Sequence, residues 1–524
     1  MIRPEHRDAR CYKHKYGQPL PAGAPPTFDN AGLVWSLNYG LTDWKFAATK
    51  NARDFDAWDV LNPHGERGVP KDHLDGRNEV LGGPTKRLDE ESSDNPNNRF
   101  WDVLRKAYGG EERGGFKGRQ KYGAINVIKR LYPRVWLEKT LGIRPPRFES
   151  VSDIANAIDR EETDAPAGKE PTYYAVLCMD GDDLGQWVSG AKTPPLFKVL
   201  AGAEADEKSP KGYFNQHWQP AKAGGLPAEA VRRPLTPGFH AALSEALGNF
   251  SLYCAGQVVE AFKGQLLYSG GDDVLAMLPA EQALDCAFAL QCAFRGELPA
   301  EAPRRVREVL EDLFEFYPSS PGFIRCKHSS GKGEHLRPNW PLLVMGPEAT
   351  VSVGIAIGHV RAPMQDTIQA AREAEQAAKS VPGKAAFCVS ILKRSGESAQ
   401  FAAKWDGGVA GVWGELASGV LDQTGRFAYR YLQLVRSLLA STATDNDGGW
   451  EQQWTPDLKS AVEAELRHVL KQQANQQSAD AISNASRWIG KLIGENLNQP
   501  ALTPRDFIHF WMAWAFVNRL QDQP

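Results

Sequence analysis

The chain has 524 residues, 42% hydrophobic, 24% charged and 10% aromatic. That is the balance of a soluble globular protein with material for more than one core, and it excludes a mostly disordered chain. Lys and Arg number 61 against 64 Asp and Glu, for a net charge of -3, which excludes a globally basic nucleic-acid binder but leaves room for local basic patches.

The seven cysteines include no CxxC pair, so a disulfide scaffold and a four-cysteine zinc ribbon lack their raw material. The opening MIRPEHRDARC carries charge without an apolar core, so no secretory signal is expected. The best apolar run, Phe507 to Val517, is interrupted by His509 and falls short of the roughly 18–20 residues of a membrane span. A cytoplasmic protein is expected.

Residues 1–170 read as irregular and helical by turns. The stretch to Asn30 is rich in Pro and Gly, ATKNARDFDAW from Ala48 to Trp58 has helical character, and 62–98 is a polar, turn-rich connection. From Lys117 to Arg134 a basic stretch, KGRQKYGAINVIKRLYPR, predicts a helix around Ala124–Leu131. Two readings stay open for it: a solvated helical face, or a phosphate-contacting surface in which Lys and Arg interleave with Tyr122 and Tyr132.

The pattern changes at Tyr173–Met179, a short apolar run that stops at acids and glycine as a buried strand does. After a Pro/Gly-broken insertion (190–236), His240–Phe262 has helical spacing, with Leu243, Leu247, Phe250, Leu252 and Val259 as core contacts. Gln265–Ser269 and Val274–Leu278 are β-like runs separated by Gly270-Gly271-Asp272-Asp273, a hairpin signal. Helices are predicted at 280–295 and 303–315, a strand at Thr350–His359, a helix opened by Pro363 and running to about Lys379, and a last strand at Lys384–Leu392. Cys286 and Cys292 fall on the apolar helix and read as core, while His240 and His359 read as ordinary polar residues. Beyond 398 the chain reads as helical, with helices at Leu458–Gln473 and Ala479–Ile493 and a Thr503-Pro504 cap before a final apolar helix. The expected fold is α+β: a ferredoxin-like palm (171–397) between an irregular, helical N-terminal domain (1–170) and a helical C-terminal domain (398–524).

Two acidic runs carry the chemistry. Asp180-Gly181-Asp182-Asp183 follows the first strand, and Gly270-Gly271-Asp272-Asp273 forms the hairpin tip. In a βαββαβ sheet the first strand neighbours the second strand of the hairpin in antiparallel fashion, so both runs reach one rim. Carboxylates about 4 Å apart repel by roughly 4 kcal/mol at an effective dielectric near 20, so they protonate or bind a cation. Oxygen ligands without Cys or His suit magnesium or manganese, and magnesium's habit of sharing ligands with phosphates points to nucleotide chemistry. An EF-hand is rejected, because Leu184 and Ala191 fall where such a loop needs oxygen ligands. The chain contains no P-loop, GxGxxG, HExxH or GxSxG motif.

AVLCMDGDDLGQWVSG and LLYSGGDDVLAMLP resemble the catalytic palm of the large subunit of type III-B (Cmr-type) CRISPR effector complexes. TVSVGIAIGH, the helix ending AEQAAK, ILKRSGE, AINVIKRLYP and FESVSDIA extend the resemblance over about 120–400. The palm is also similar to that of diguanylate cyclases (GGDEF type) and of nucleotidyltransferases. The resemblance implies Asp180 and Asp272 as principal metal ligands, with Asp182 and Asp273 supporting, and catalysis by Asp180, Asp272 and Asp273. It implies nucleotide contacts from Gly181, Asp182, Ser244, Gly270, Gly271 and Lys379, the last meeting triphosphate. It further implies ATP as substrate, Mg2+ or Mn2+ as cofactor, cyclic oligoadenylate as product, and Cmr-type subunits, CRISPR RNA and target RNA as partners. The family's HD nuclease domain, most of its first palm and its zinc-binding cysteines are not found here. Neither DNA cleavage nor zinc is therefore expected, and a separate chain is a candidate source of a first palm. A structural subunit that binds RNA and other subunits, and a free-standing nucleotide cyclase, are the alternatives.

Overall fold

A computed structural model describes residues 72–73, 80–81, 96–108, 120–141, 151–155, 173–218, 227, 230–327, 338–416, 426–441, 453–472, 478–497 and 499–521. The Pro/Gly-rich opening, the helix expected at Ala48–Trp58 and most of the 62–98 connection lie outside these residues.

The centre of the fold is a six-stranded sheet in the order β2-β3-β1-β7-β8-β9. Its strands are β1 (Tyr173–Gly181), β2 (Gln265–Gly270), β3 (Asp273–Pro279), β7 (Val351–His359), β8 (Ala386–Leu392) and β9 (Ser398–Lys404). The first four strands of this order are the ferredoxin-like set, with β1 antiparallel to both β3 and β7. β8 then runs parallel to β7, and β9 is antiparallel to β8. The separate strands β4 (Phe314–Phe316), β5 (Phe323–Cys326) and β6 (Leu342–Leu343) form a small second sheet.

β1 and β7 read as apolar on both faces because both faces are covered. Ala175, Leu177 and Met179 join the large core with helices α1 (Ala255–Ala261) and α2 (Ala283–Arg295), while Tyr174, Val176 and Cys178 face α3 (Met364–Ser380). Cys286 and Cys292 are buried on α2 as expected. Gly354 of β7 is required by this packing, since a β-carbon there would sit 2.2 Å from the Ala371 carbonyl oxygen of α3. No helix among the described residues is long and apolar enough to cross a membrane.

Three local expectations change. The helix expected across His240–Phe262 is interrupted by a π turn at Phe250–Cys254, which rotates the helical face and leaves Leu252 75% exposed rather than in the core. Tyr122 is buried beside Trp101 and Val127, so it does not belong to a basic surface, whereas Tyr132 is exposed. The sheet continues past residue 397 through β9, on which the final helix α4 (Pro504–Gln521) packs. Thr503 caps α4 as its sequence suggests: its Oγ1 accepts the Asp506 N–H at 3.1 Å and donates to the Asp506 carboxylate at 2.7 Å.

Candidate metal and nucleotide site

The β1–β3 register runs from Tyr174↔Pro279 to Met179↔Val274, which brings the end of β1 beside the start of β3. Gly270 pairs with Asp273, leaving Gly271 and Asp272 as the turn. Gly271 has φ +71°, a conformation that side-chain-bearing residues seldom adopt. Asp180, Asp272 and Asp273 thereby converge, each offering an oxygen within 4.8 Å of the others. The arrangement fits a divalent cation on its own chemistry: three half-buried carboxylates, all oxygen donors, held by two strand ends.

The electrostatics match this geometry. Burial raises the Asp273 carboxyl to about 7, helped by a hydrogen bond with Asp180 and the charges of Asp272, Asp180 and Glu375. Burial also raises Asp272, with the Asp180 charge adding to it, against the lowering effect of backbone hydrogen bonds at Asp272 and Gly181. Gly181 lies against Asp272 with no room for a side chain.

Lys379, near the end of α3, forms an ion pair with Asp180 and a second with Glu375 at 2.7 Å. Burial works against the ammonium charge, but the hydrogen bonds to Asp180 and Glu375 outweigh it and raise the lysine's pKa. Without a ligand, then, Lys379 neutralises part of the acidic group. Sequence reasoning missed Glu375, although its position one helical turn before Lys379 was a readable signal.

Asp182 does not join the carboxylate group. It is 3% exposed and its two oxygens are already engaged. Thr350 Oγ1 donates to Oδ2 at 2.8 Å, Ser352 Oγ to Oδ1 at 2.7 Å, and the Ala385 N–H to Oδ2 at 2.9 Å. The expected supporting-ligand role therefore gives way to an internal tie between β1, β7 and the approach to β8. Asp183 pairs with Lys384 at 2.6 Å and Lys192 at 2.9 Å, and those ammonium groups hold its carboxyl below the usual range. Lys384 and Ala385 both have φ +52°, directly after Gly383 at +77°. Left-handed backbone costs about 1–2 kcal/mol at each non-glycine residue, so this run needs its anchors.

Of the remaining expected residues, Gly270 lies under the Tyr268 ring, where a β-carbon would sit 2.2 Å from the phenol oxygen. Ser244 is exposed on the helix Pro237–Asn249 and is not part of the carboxylate group. His240 and His359 serve local contacts: His240 Nε2 lies 3.0 Å from the Val188 carbonyl, and His359 Nδ1 accepts the Arg361 N–H.

Comparison with known proteins agrees with the palm geometry. Residues 173–306 match the family described as Cas10/Cmr2, second palm domain. The CRISPR system Cmr subunit Cmr2 of Pyrococcus furiosus is 28% identical over 337 residues, covering 62% of this chain and 31% of the relative. The CMR subunit Cmr2 of Saccharolobus solfataricus is 36% identical over 92 residues, covering 17% of this chain and 8% of the relative. The chain thus spans less than a third of the length of either relative. Among solved structures, a type III-B Cmr-beta chain in the apo state superposes with a TM-score of 0.50 at 13% identity, covering 93% of this chain and 61% of that one. A chain of Cmr-beta bound to cognate target RNA gives 0.50 at 14% identity, with 93% and 62% covered. At these identities the two superpositions speak to fold.

Proposed function

We propose that this chain, whose residues 173–306 form a Cas10/Cmr2 second palm domain, is a metal-dependent nucleotidyltransferase that makes cyclic oligoadenylates from ATP within a type III-B CRISPR effector complex. The observation that carries the reading is the convergence of Asp180, Asp272 and Asp273 at one sheet rim. A scaffold has no need of a repulsive carboxylate set, whereas a nucleotidyltransferase does.

Asp180, Asp272 and Asp273 would hold Mg2+ or Mn2+, with Glu375 adding negative charge behind them. Bound there, the cation would activate an attacking 3′-hydroxyl and neutralise charge on the phosphates of the leaving pyrophosphate. The chain's own part is positional. The paired ends of β1 and β3 fix the carboxylates, Gly271 leaves the hairpin turn without a side chain, and Lys379 offers its ammonium to triphosphate. Catalysis then needs in-line placement of two ATP molecules and no protein nucleophile. Cmr-type subunits, CRISPR RNA and target RNA are the proposed partners, with target RNA as the activator and a separate chain as a source of a first palm.

A second reading, a silent palm that scaffolds the complex, is favoured by one feature: Lys379 already balances Asp180 without a metal. The two separate in one experiment. Labelled ATP is incubated with Mg2+ or Mn2+ and the chain alone, then with the guide complex and target RNA. Oligoadenylate formation that disappears in Asp272→Asn/Asp273→Asn, with assembly intact, supports the enzyme. Undiminished synthesis in that variant rejects the site, and absence of synthesis under every condition favours the scaffold.

A further inference from the structure

The run Asp180-Gly181-Asp182-Asp183 divides its acids between two tasks. Asp180 faces Asp272 and Asp273, whereas Asp182 turns inward to Thr350, Ser352 and Ala385. We propose that Asp182 is a positioning residue that anchors the strap Val381–Ala385 and, through it, sets Lys379 against Asp180. The proposal rests on the reading of the Asp180 group as a cation and nucleotide site for its functional consequence, though not for its geometry.

The path from Lys379 to Asp182 is short and held by hydrogen bonds at Val381, Lys384 and Ala385. α3 ends at Ser380, and the Val381 N–H returns to the Ala378 carbonyl. The Lys384 N–H then donates to the Val381 carbonyl at 2.8 Å, and the Ala385 N–H reaches Asp182. On its other side the Ala385 carbonyl accepts the Trp405 N–H at 3.1 Å. Gly383, Lys384 and Ala385 are three consecutive left-handed residues, two of them with side chains. Such a run relaxes unless its surroundings over-determine it. Asp182 supplies that constraint at Ala385, and Asp183 supplies it at the Lys384 ammonium.

A carboxylate suits this duty better than a neutral side chain, because it accepts three hydrogen bonds while buried. Its partners come from separate elements, β7 with the residue before it and the strap, so one side chain locks the rim of β1 to both. Loss of the anchor would let the strap leave its left-handed conformation, and the last turn of α3 would follow. Lys379 is on that turn, and its contact with Asp180 is the one a loosened strap would open first.

The test compares the parent chain with Asp182→Ala and Asp182→Asn in metal-free buffer. It follows amide exchange across the strap and acylation of the Lys379 amine, both by mass spectrometry. In Asp182→Ala the Lys384 amide is expected to exchange faster, and Lys379 to acylate several-fold faster as its contact with Asp180 opens. Asp182→Asn keeps one acceptor oxygen, for Ala385, but turns the other into a donor, and should fall between the parent and Asp182→Ala. Thr350→Val, which removes one hydroxyl donor, serves if Asp182→Ala does not fold and should move Lys379 in the same direction. Parent-like acylation of Lys379 in folded Asp182→Ala, or in Thr350→Val where that variant is used, overturns the proposal. Mn2+ titration of the same samples keeps the two ideas apart: a parent chain that binds no Mn2+ removes the nucleotidyltransfer reading, while the exchange and acylation data still decide the strap.

Discussion

Gly181 and Asp272, from different strand ends, touch so closely that a β-carbon on Gly181 would lie 2.7 Å from Asp272 Oδ2 and 2.8 Å from its Cβ. Rotation of the Asp272 side chain cannot relieve both contacts, so a larger residue at 181 must move the hairpin tip. Gly181→Ala is therefore expected to destabilise the protein by about 1–3 kcal/mol and to weaken Mn2+ binding at least tenfold. Calorimetric titration with Mn2+ and a thermal melt check both, and unchanged Mn2+ affinity would argue against Asp272 as a ligand.

The acidic group also makes the metal-free fold sensitive to pH. Asp273 rises from an ordinary 3.8 to about 7, first through burial and then through its hydrogen bond with Asp180 and the neighbouring charges. Between those values the folded chain holds a proton that the unfolded chain has released. This site's contribution is therefore greatest below about pH 4, declines as pH rises, and is lost above about pH 7. With a chelator present, Asp273→Asn should gain stability relative to the parent at pH 8 and gain little at pH 4. Denaturant melts at the two pH values check the sign, and an equal gain at both would contradict it. Added Mg2+ or Mn2+ should restore much of the parent's stability at pH 8.

Much of this site was legible in the sequence because chain direction and strand pairing do the assembling. Two apolar runs, each bounded by acids, sufficed to bring Asp180 near Asp272 and Asp273 once the βαββαβ order was read. Residue type alone did not reveal which acids face outward. Asp182 reads as one more ligand in DGDD, yet hydroxyls from Thr350 and Ser352, distant in sequence, draw it inward. β9 was missed because SAQFAAK is rich in alanine and weak in β-branched residues, and its strand state comes from pairing with β8 and cover by α4. The π turn at Phe250–Cys254 leaves no mark in a period-based reading, which is why Leu252 was misplaced.

Lys379 competes with any cation for Asp180. It is a partly buried ammonium paired with two carboxylates, so its removal leaves those acids unbalanced in the metal-free protein. Lys379→Met is expected to lower metal-free stability by about 1–3 kcal/mol, as loss of one partner from a half-buried pair does. It should also tighten Mn2+ binding several-fold in the absence of nucleotide. The same variant should weaken binding of ATP with Mn2+, because the proposed contact of the ammonium with triphosphate is then lost. Paired titrations with and without nucleotide give the two signs, and a change of the same sign in both would refute the assignment of Lys379 to phosphate.

Gly354 sets the distance between β7 and α3, the helix that carries Glu375 and Lys379. A β-carbon there would meet the Ala371 carbonyl oxygen and the Glu375 amide nitrogen, each at 2.2 Å. Both are backbone atoms of a helix, so relief requires α3 to move as a body or the strand to bend. Gly354→Ala should cost about 3 kcal/mol, the upper part of the overpacking range, and the outward shift of α3 should part Lys379 from Asp180. Chemical denaturation measures the first effect and amine acylation at Lys379 the second. Full stability in Gly354→Ala would show that the helix rides farther from the sheet than the structure has it, and would weaken each inference that places Glu375 and Lys379 at the carboxylate rim.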